Sequence, residues 1–455
     1  MVSVNQEPLI RVGLMAGEGA LRTVKLALRG RYKTQCGEEL EDGDYIVSND
    51  GGSVRLAGDS LITAPKLVLT PVEFEASRAT VHGVKIGVDF HWERREAQTV
   101  QGSLAVTPQS GRLMVVNELP LEAYLVSVIS SEMSASAPSE FLRAHAIVSR
   151  SWLLAQMTNR YKQTSHVVHE ESRVPYRASE TRMIRWWDRE NHADFDVCAD
   201  DHCQRYQGIS KAFSQEAFEA VRGTRGKVLM WGEEICDARY SKSCGGMTEE
   251  FRAAWEDNDL PYLQAVYDGE DQPARAPDLM LESGAAEWIR TQPGAYCSTQ
   301  SVELLARVLP GFDQETRDFF RWSVDYSNEE LSAIILDRTG FDLGRLVSLE
   351  ALERGKSGRI VRLKIIGKKQ TVVVGKELQI RRALSRSHLY SSAFIVEAEP
   401  DSSSKYPKRF RLMGAGWGHG VGLCQIGAAV MADQGRSHGE VLAHYFQGTS
   451  LRELY

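Results

Sequence analysis

Residues 117–152 read NELPLEAYLVSVISSEMSASAPSEFLRAHAIVSRSW, and this stretch decides the fold because it encodes two successive helices. Leu121, Tyr124, Leu125, Val128 and Ile129 recur at the spacing of one apolar helical face, and Pro120 suits the first helical position. Continued one step, that face reaches Glu132. The sequence thus predicts a carboxylate on the buried side of a helix, at its C-terminal end, where burial and the negative helix terminus both favour the neutral acid. A general acid needs that setting. After Ser134-Ala135-Ser136-Ala137 the pattern restarts at Pro138, and Phe141, Ala144, His145, Val148, Trp152 and Ala155 form a second stripe. Arg150 lies on another side of this second helix, and the expectation is that it faces a cleft beside Glu132 and balances charge there. The plain alternative is a surface Glu132 and a solvated Arg150, the commoner fate of a single Glu and a single Arg.

The chain has 455 residues, room for about three domains of ~150 residues each. A hydrophobic fraction of 42% with 25% charged residues is that of a globular chain and excludes general disorder. The net charge of -7 argues against nucleic acid or an anionic membrane as partner. No run reaches the ~18 apolar residues of a membrane span. The first residues, MVSVNQEPLIRVGLMAG, have neither a basic nor an apolar signal region, so the expectation is a cytosolic protein unless an export signal precedes them. Seven cysteines, at 36, 198, 203, 236, 244, 297 and 424, make a poor disulfide framework and suit a reduced protein with one metal site.

The fold class expected is α+β: a mixed, β-rich core carrying the helical pair. Residues 1–110 read as an N-terminal β-rich accessory domain, with short strands at Ile10–Leu14, Thr23–Leu28, Ser53–Leu56, Lys66–Thr70 and Val84–Phe90. Turn signals such as Asn49-Asp50-Gly51-Gly52 separate them. Residues 111–269 hold the helical pair and a segment rich in His and Cys. Residues 270–355 switch to helical patterns, at Ala285–Arg290, Ser301–Leu309 and Asn328–Leu336, and read as a mainly helical insertion. Residues 356–455 return to strands at Arg359–Ile366, Gln370–Val374 and Phe410–Met413.

Three short segments carry candidate chemistry. His192, Cys198, His202 and Cys203 place two imidazoles and two thiols within twelve residues, the N/S donor set of a tetrahedral zinc site. His192, Cys198 and Cys203 are the primary ligands expected, with His202 or a water as the fourth. The alternative is two core thiols beside a surface histidine. In Tyr240-Ser241-Lys242-Ser243-Cys244-Gly245-Gly246-Met247-Thr248-Glu249 an extended chain puts Tyr240 and Lys242 on one face, and the paired glycines permit a close approach of backbone to ligand. Tyr240, Lys242 and Ser243 are candidate binding residues. Residues 414–449, GAGWGHGVGLCQIGAAVMADQGRSHGEVLAHYFQGT, are no phosphate loop, since no Lys-Ser/Thr follows the glycines and the spacing is not GxGxxG. The glycines instead let His419 and Gln425 be held close to a ligand, although a structural, hydrogen-bonded His419 fits equally. Ser437 to Glu440 is a capping box for the last helix.

The two long motifs, EAYLVSVISSEMSASAPSEFLRAHAIVSRSW and GAGWGHGVGLCQIG, lie in order about 270 residues apart and resemble the signature of the stage II sporulation protein D family, SpoIID/LytB, which includes amidase enhancers. The resemblance covers the chain from about Gly111 onwards apart from the insertion. It implies peptidoglycan glycan as substrate class and lytic transglycosylase activity, with Glu132 as acid and base and with Arg150, Tyr240, Lys242 and Gln425 positioning the sugar. Some members show a His/Cys/Cys zinc site in the segment holding His192. Members are commonly exported or membrane-anchored. A non-catalytic activator of an N-acetylmuramoyl-L-alanine amidase, and more remotely a zinc-dependent hydrolase, are the competing readings.

Overall fold

Alternating apolar residues in the first 120 positions build two sheets, antiparallel except for one edge pairing, whose inner faces share one core. In the computed structural model, which describes residues 6–58, 61–87, 93–134, 136–165, 176–179, 182–185, 192–200, 202–210, 214–271, 274–309 and 318–455, the strand Thr23–Arg29 buries Val24, Leu26 and Leu28 and exposes the residues at its two ends. It lies in a six-stranded sheet ordered Arg94–Val100, Arg78–Ile86, Thr23–Arg29, Gly43–Asp50, Ser53–Ala57, Leu61–Ala64. The turn expected at Gly51-Gly52 closes the hairpin between the fourth and fifth of these, with φ of 61° and 96° at the two glycines. A seven-stranded sheet packs beside it, ordered Val197–Cys198, Leu9–Met15, Arg112–Pro120, Ser103–Gln109, Leu67–Pro71, Tyr32–Thr34, Glu39–Leu40.

The β-rich region does not stop at residue 110. Ser110 and Gly111 form the turn of a hairpin between Ser103–Gln109 and Arg112–Pro120, and the second strand runs straight into helix α1, Leu121–Glu132. Pro120 caps α1 rather than occupying its first turn. Leu121, Tyr124, Leu125, Val128 and Ile129 are buried, as their spacing predicts. Helix α2, Ser139–Ser165, buries Phe141, Ala144, His145, Val148 and Trp152 and packs on both α1 and the helix Gln425–Asp433.

Arg150 on α2 is fully buried and makes a two-pronged ion pair with Glu122 in the first turn of α1, at 2.9 and 2.6 Å. Its third nitrogen donates to the Lys227 carbonyl at 3.0 Å, and the Tyr455 hydroxyl donates to Glu122 at 2.6 Å. The pair therefore joins both helices, the strand Lys227–Trp231 and the carboxyl-terminal end of the chain.

A second core, around Trp322, Leu363, Phe394 and Phe410, is drawn from residues 322–412. The stretch expected to be mainly helical supplies helices Glu282–Arg290, Val302–Val308 and Asn328–Thr339, and also the strands Arg321–Ser327 and Leu346–Arg354. Leu346–Arg354 pairs antiparallel with Ile360–Gly367, so the boundary drawn at 355/356 falls in the turn of a hairpin. The last helix, His438–Tyr445, carries the Ser437/Glu440 capping box. The fold is α+β. Among the described residues no helix is long and apolar enough to cross a membrane.

Arg150→Ala is expected to cost roughly 3–5 kcal/mol of unfolding free energy, because half-buried Glu122 loses both hydrogen bonds from its cation. The double change Glu122→Leu/Arg150→Met recovers most of it. Urea unfolding of the three chains measures both.

Candidate functional site

Glu132 is the last residue of α1, and its neighbours one turn back, Val128 and Ile129, offer its carboxylate no hydrogen bond. Two donors from elsewhere do: the Arg205 amide, 3.0 Å from Oε1, and the Tyr240 hydroxyl, 3.1 Å from the same oxygen. Among the described residues Oε2 has no hydrogen-bond partner. Tyr240 is delivered by the two-residue strand Tyr240–Ser241, which runs parallel to Leu423–Cys424. Side chains alternate here as predicted. Ser241 and Ser243 are buried, while Tyr240 and Lys242 are half-buried beside the end of α1. Lys242 Nζ lies 3.4 Å from the Glu132 carbonyl oxygen, one of the acceptors a helix end leaves open, where a cation is favoured.

Behind Tyr240 the ring of His145 packs at 4.6 Å. Its Nε2 is 2.9 Å from the Gln425 amide nitrogen, which makes Gln425 the donor and the ring a neutral acceptor. Burial first, and then Lys242, push His145 down to about 3. Burial first, and then the Glu132 charge, raise Tyr240 well above its ordinary value, so it stays a hydroxyl donor to the carboxylate.

The zinc candidates converge. His192, Cys198, His202 and Cys203 bring four donor atoms within 4.8 Å of one another. His192 Nε2 is 3.4 Å from Cys203 Sγ, and His202 Nδ1 is 3.4 Å from Cys203 Sγ and 3.8 Å from Cys198 Sγ. A tetrahedral zinc with bonds of about 2.3 Å to sulfur and 2.0–2.1 Å to nitrogen needs S···N separations of roughly 3.5 Å, so the four side chains fit the ion. Hydrogen bonding from Cys203, and then from the two imidazoles, outweighs burial and holds Cys198 well down towards the thiolate. The segment is also pinned to the first sheet, since Val197–Cys198 pairs with Val12 and Gly13. Two residues past Cys203 comes Arg205, whose amide holds Glu132. The donor cluster and the acid are therefore ends of one short backbone segment.

A stage II sporulation protein domain matches residues 109–231, and a domain of unknown function (DUF8618) matches residues 249–422. The chain is 23% identical over 402 residues to stage II sporulation protein D of Bacillus amyloliquefaciens, which covers 86% of this chain and 92% of that protein. It is 26% identical over 265 residues to the amidase enhancer of Bacillus subtilis (strain 168), 54% of this chain and 34% of that protein. The chain is thus similar to the SpoIID/LytB family. In this SpoIID-like chain the sporulation-protein match contains Glu132 and the four His/Cys donors, whereas Tyr240 and Lys242 follow it.

Several expected site residues sit elsewhere. Arg150 does not face Glu132; it is bound to Glu122, ten residues and roughly 15 Å back along α1. Ser243 is fully buried, with its main chain bonded in both directions to Trp417, at 3.1 and 2.7 Å, and Gln425 is buried against His145. Both stand behind the site and hold it. His419 accepts the Val421 amide on Nδ1 at 3.0 Å and packs at 4.7 Å on Trp255. Burial first, and then Arg239, hold it well below the usual imidazole range. The paired glycines approach protein rather than ligand: a Cβ on Gly245 would lie 2.8 Å from the Gly416 amide nitrogen, and one on Gly246 2.8 Å from Trp288.

Three contributors escape a reading of the sequence. His145 sits on an apolar stripe and reads as packing. Arg205 acts through its main chain, which carries no residue signature. Arg359 is fully buried and donates to the carbonyls of Cys244, at 3.1 Å, and Gly418, at 3.2 and 3.1 Å, clamping the two glycine-rich loops together.

The neutral His145 sets an acid limit on stability. Its folded value lies below the unfolded one, so its contribution is complete above about pH 6.5 and is lost as pH falls towards about 3, by at most ~1.4 kcal/mol per pH unit. In urea unfolding at pH 7 and pH 5, His145→Gln is expected to lose less stability between the two than wild type does.

Proposed function

We propose that this chain is a lytic transglycosylase acting on the MurNAc-GlcNAc linkages of peptidoglycan glycan strands, with Glu132 as the single acid and base. Similarity to stage II sporulation protein D and to an amidase enhancer supports a peptidoglycan-related role. The observation that carries the finer reading is the hold on Glu132: two donors fix Oε1 and leave Oε2 for proton transfer. Protonated Glu132 gives its proton to the glycosidic oxygen as the bond from that oxygen to C1 breaks. The carboxylate, stabilised by Tyr240 and the Arg205 amide, then takes the proton of the sugar's C6 hydroxyl. That oxygen bonds to C1, closing a 1,6-anhydro ring without water and without the second carboxylate of a hydrolase. Lys242, beside the acid, offsets the charge of the muramyl lactyl groups.

His192, Cys198, His202 and Cys203 are assigned to a zinc ion in the same proposal. With all four side chains as ligands the ion would supply rigidity rather than an open position for substrate. The chain's own part is to carry that rigidity from Cys203 to the Arg205 amide.

Purified peptidoglycan, with and without its stem peptides, is incubated with wild type and with Glu132→Gln, and the soluble products are read by mass spectrometry. Wild type is expected to release 1,6-anhydro ends, and Glu132→Gln to fall by about 10²-fold or more. Equal release by the two, or no new ends from folded wild type, overturns the proposal. Tyr240→Phe removes one bond to the carboxylate and is expected to lower kcat about tenfold or more with little change in KM.

The match to an amidase enhancer favours a second reading, in which the same site binds glycan and the chain activates an N-acetylmuramoyl-L-alanine amidase. Undiminished stimulation of such an amidase by Glu132→Gln, with no anhydro ends from wild type, selects it.

A further inference from the structure

Cys244, Cys297, Cys424 and Asp268 come from four separate places in the chain, yet their donor atoms lie within 4.8 Å of one another in the interior. Cys244 ends the loop that carries Lys242, and Asp268 lies where Tyr267 returns towards Met247. Cys297 is the middle residue of a short 3-10 turn, Tyr296–Ser298, and Cys424 caps the helix Gln425–Asp433. All four are at most 2% exposed.

The geometry points to a second site for a soft divalent cation of the zinc class, held by three thiolates and the Asp268 carboxylate. The Sγ atoms of Cys244 and Cys297 are 3.7 Å apart, too far for a disulfide and close to the ~3.8 Å between two sulfurs on a tetrahedral zinc with 2.3 Å bonds. No disulfide joins any of the seven cysteines. The surroundings are those of a ligand shell. The Cys244 amide points at Cys424 Sγ at 3.3 Å, the Cys297 amide at Asp268 Oδ2 at 2.9 Å, and the Tyr445 hydroxyl at Asp268 Oδ1 at 2.5 Å. Such outer bonds orient ligands and spread their charge. The Cys297 amide and the Tyr445 hydroxyl each hold one oxygen of Asp268, and neither brings a positive charge of its own. Room for the carboxylate is built in: a Cβ on Gly427 would lie 2.2 Å from Oδ1. Binding displaces the thiol protons, and Arg321, which donates to the Gly245 carbonyl at 3.1 Å and interacts electrostatically with Cys244 and Cys297, offsets part of the remaining negative charge.

The ion would staple together the strand pair Tyr240–Ser241 and Leu423–Cys424, which delivers Tyr240 and Gln425. This inference does not depend on the activity proposed above. The test uses the full chain carrying Cys198→Ser/Cys203→Ser, which dismantles the first donor cluster and leaves the second intact. After purification in zinc-replete medium, this variant is expected to retain about one zinc per chain by elemental analysis, and cobalt substitution to give thiolate charge-transfer bands. Adding Cys297→Ser removes both signals. A folded Cys198→Ser/Cys203→Ser chain that holds no zinc, with its remaining five cysteines titrating as thiols on denaturation, overturns the assignment. So does retained zinc whose X-ray absorption shows no sulfur ligands.

Discussion

Two hydrogen bonds to one oxygen of Glu132 organise the molecule. The residues three and four positions before Glu132 are Ile129 and Val128, which offer its carboxylate no hydrogen bond, so its orientation is imposed from outside the helix. Here it is imposed by a main-chain amide 73 residues downstream and a hydroxyl 108 residues downstream. Each donor has its own support. The Arg205 amide is carried by a backbone that leaves the His/Cys cluster two residues earlier, and Tyr240 is backed by His145, which Gln425 orients in turn. Each of these links is buried or half-buried, where hydrogen bonds gain strength and lost ones cost most.

The electrostatics follow from that packing. Burial keeps His145 and His419 neutral, so neither imidazole competes with Glu132 for a proton in the physiological range. Lys242 is the basic side chain set against the end of α1, beside Glu132. Arg150, the cation that helix periodicity seemed to offer, stabilises the scaffold, and its partner is the other acid of α1.

That contrast shows what the sequence could reveal. Period-3.6 spacing identifies a helical face, and it located α1, α2 and the inward face that Glu132 terminates. Periodicity says nothing about position along the neighbouring axis, so Arg150 was matched to the wrong end of α1. Leu346–Arg354, LVSLEALER, spaces its leucines like a helix and is a strand only because Ile360–Gly367 pairs with it, a tertiary effect overriding local preference. The His/Cys cluster was legible because its members are close in sequence. Cys244, Cys297 and Cys424 share no spacing motif, and only the folded chain brings them together. Arg359 was invisible for a related reason, since its value lies in carbonyls supplied by two distant loops.

The first strand has a consequence for how the chain is made. Leu9–Met15 is flanked by Arg112–Pro120 on one side and by Val197–Cys198 on the other. At 5–20 residues per second its second neighbour leaves the ribosome on the order of 10–40 s after the strand itself. Through that interval an apolar strand has an open edge, the feature that invites misplaced pairing between chains. Arg11 sits in the middle of it. Until Asp196 arrives to bind it at 2.9 and 3.2 Å, Arg11 is a charge on an unfinished edge, guarding the nascent sheet before it helps to close it.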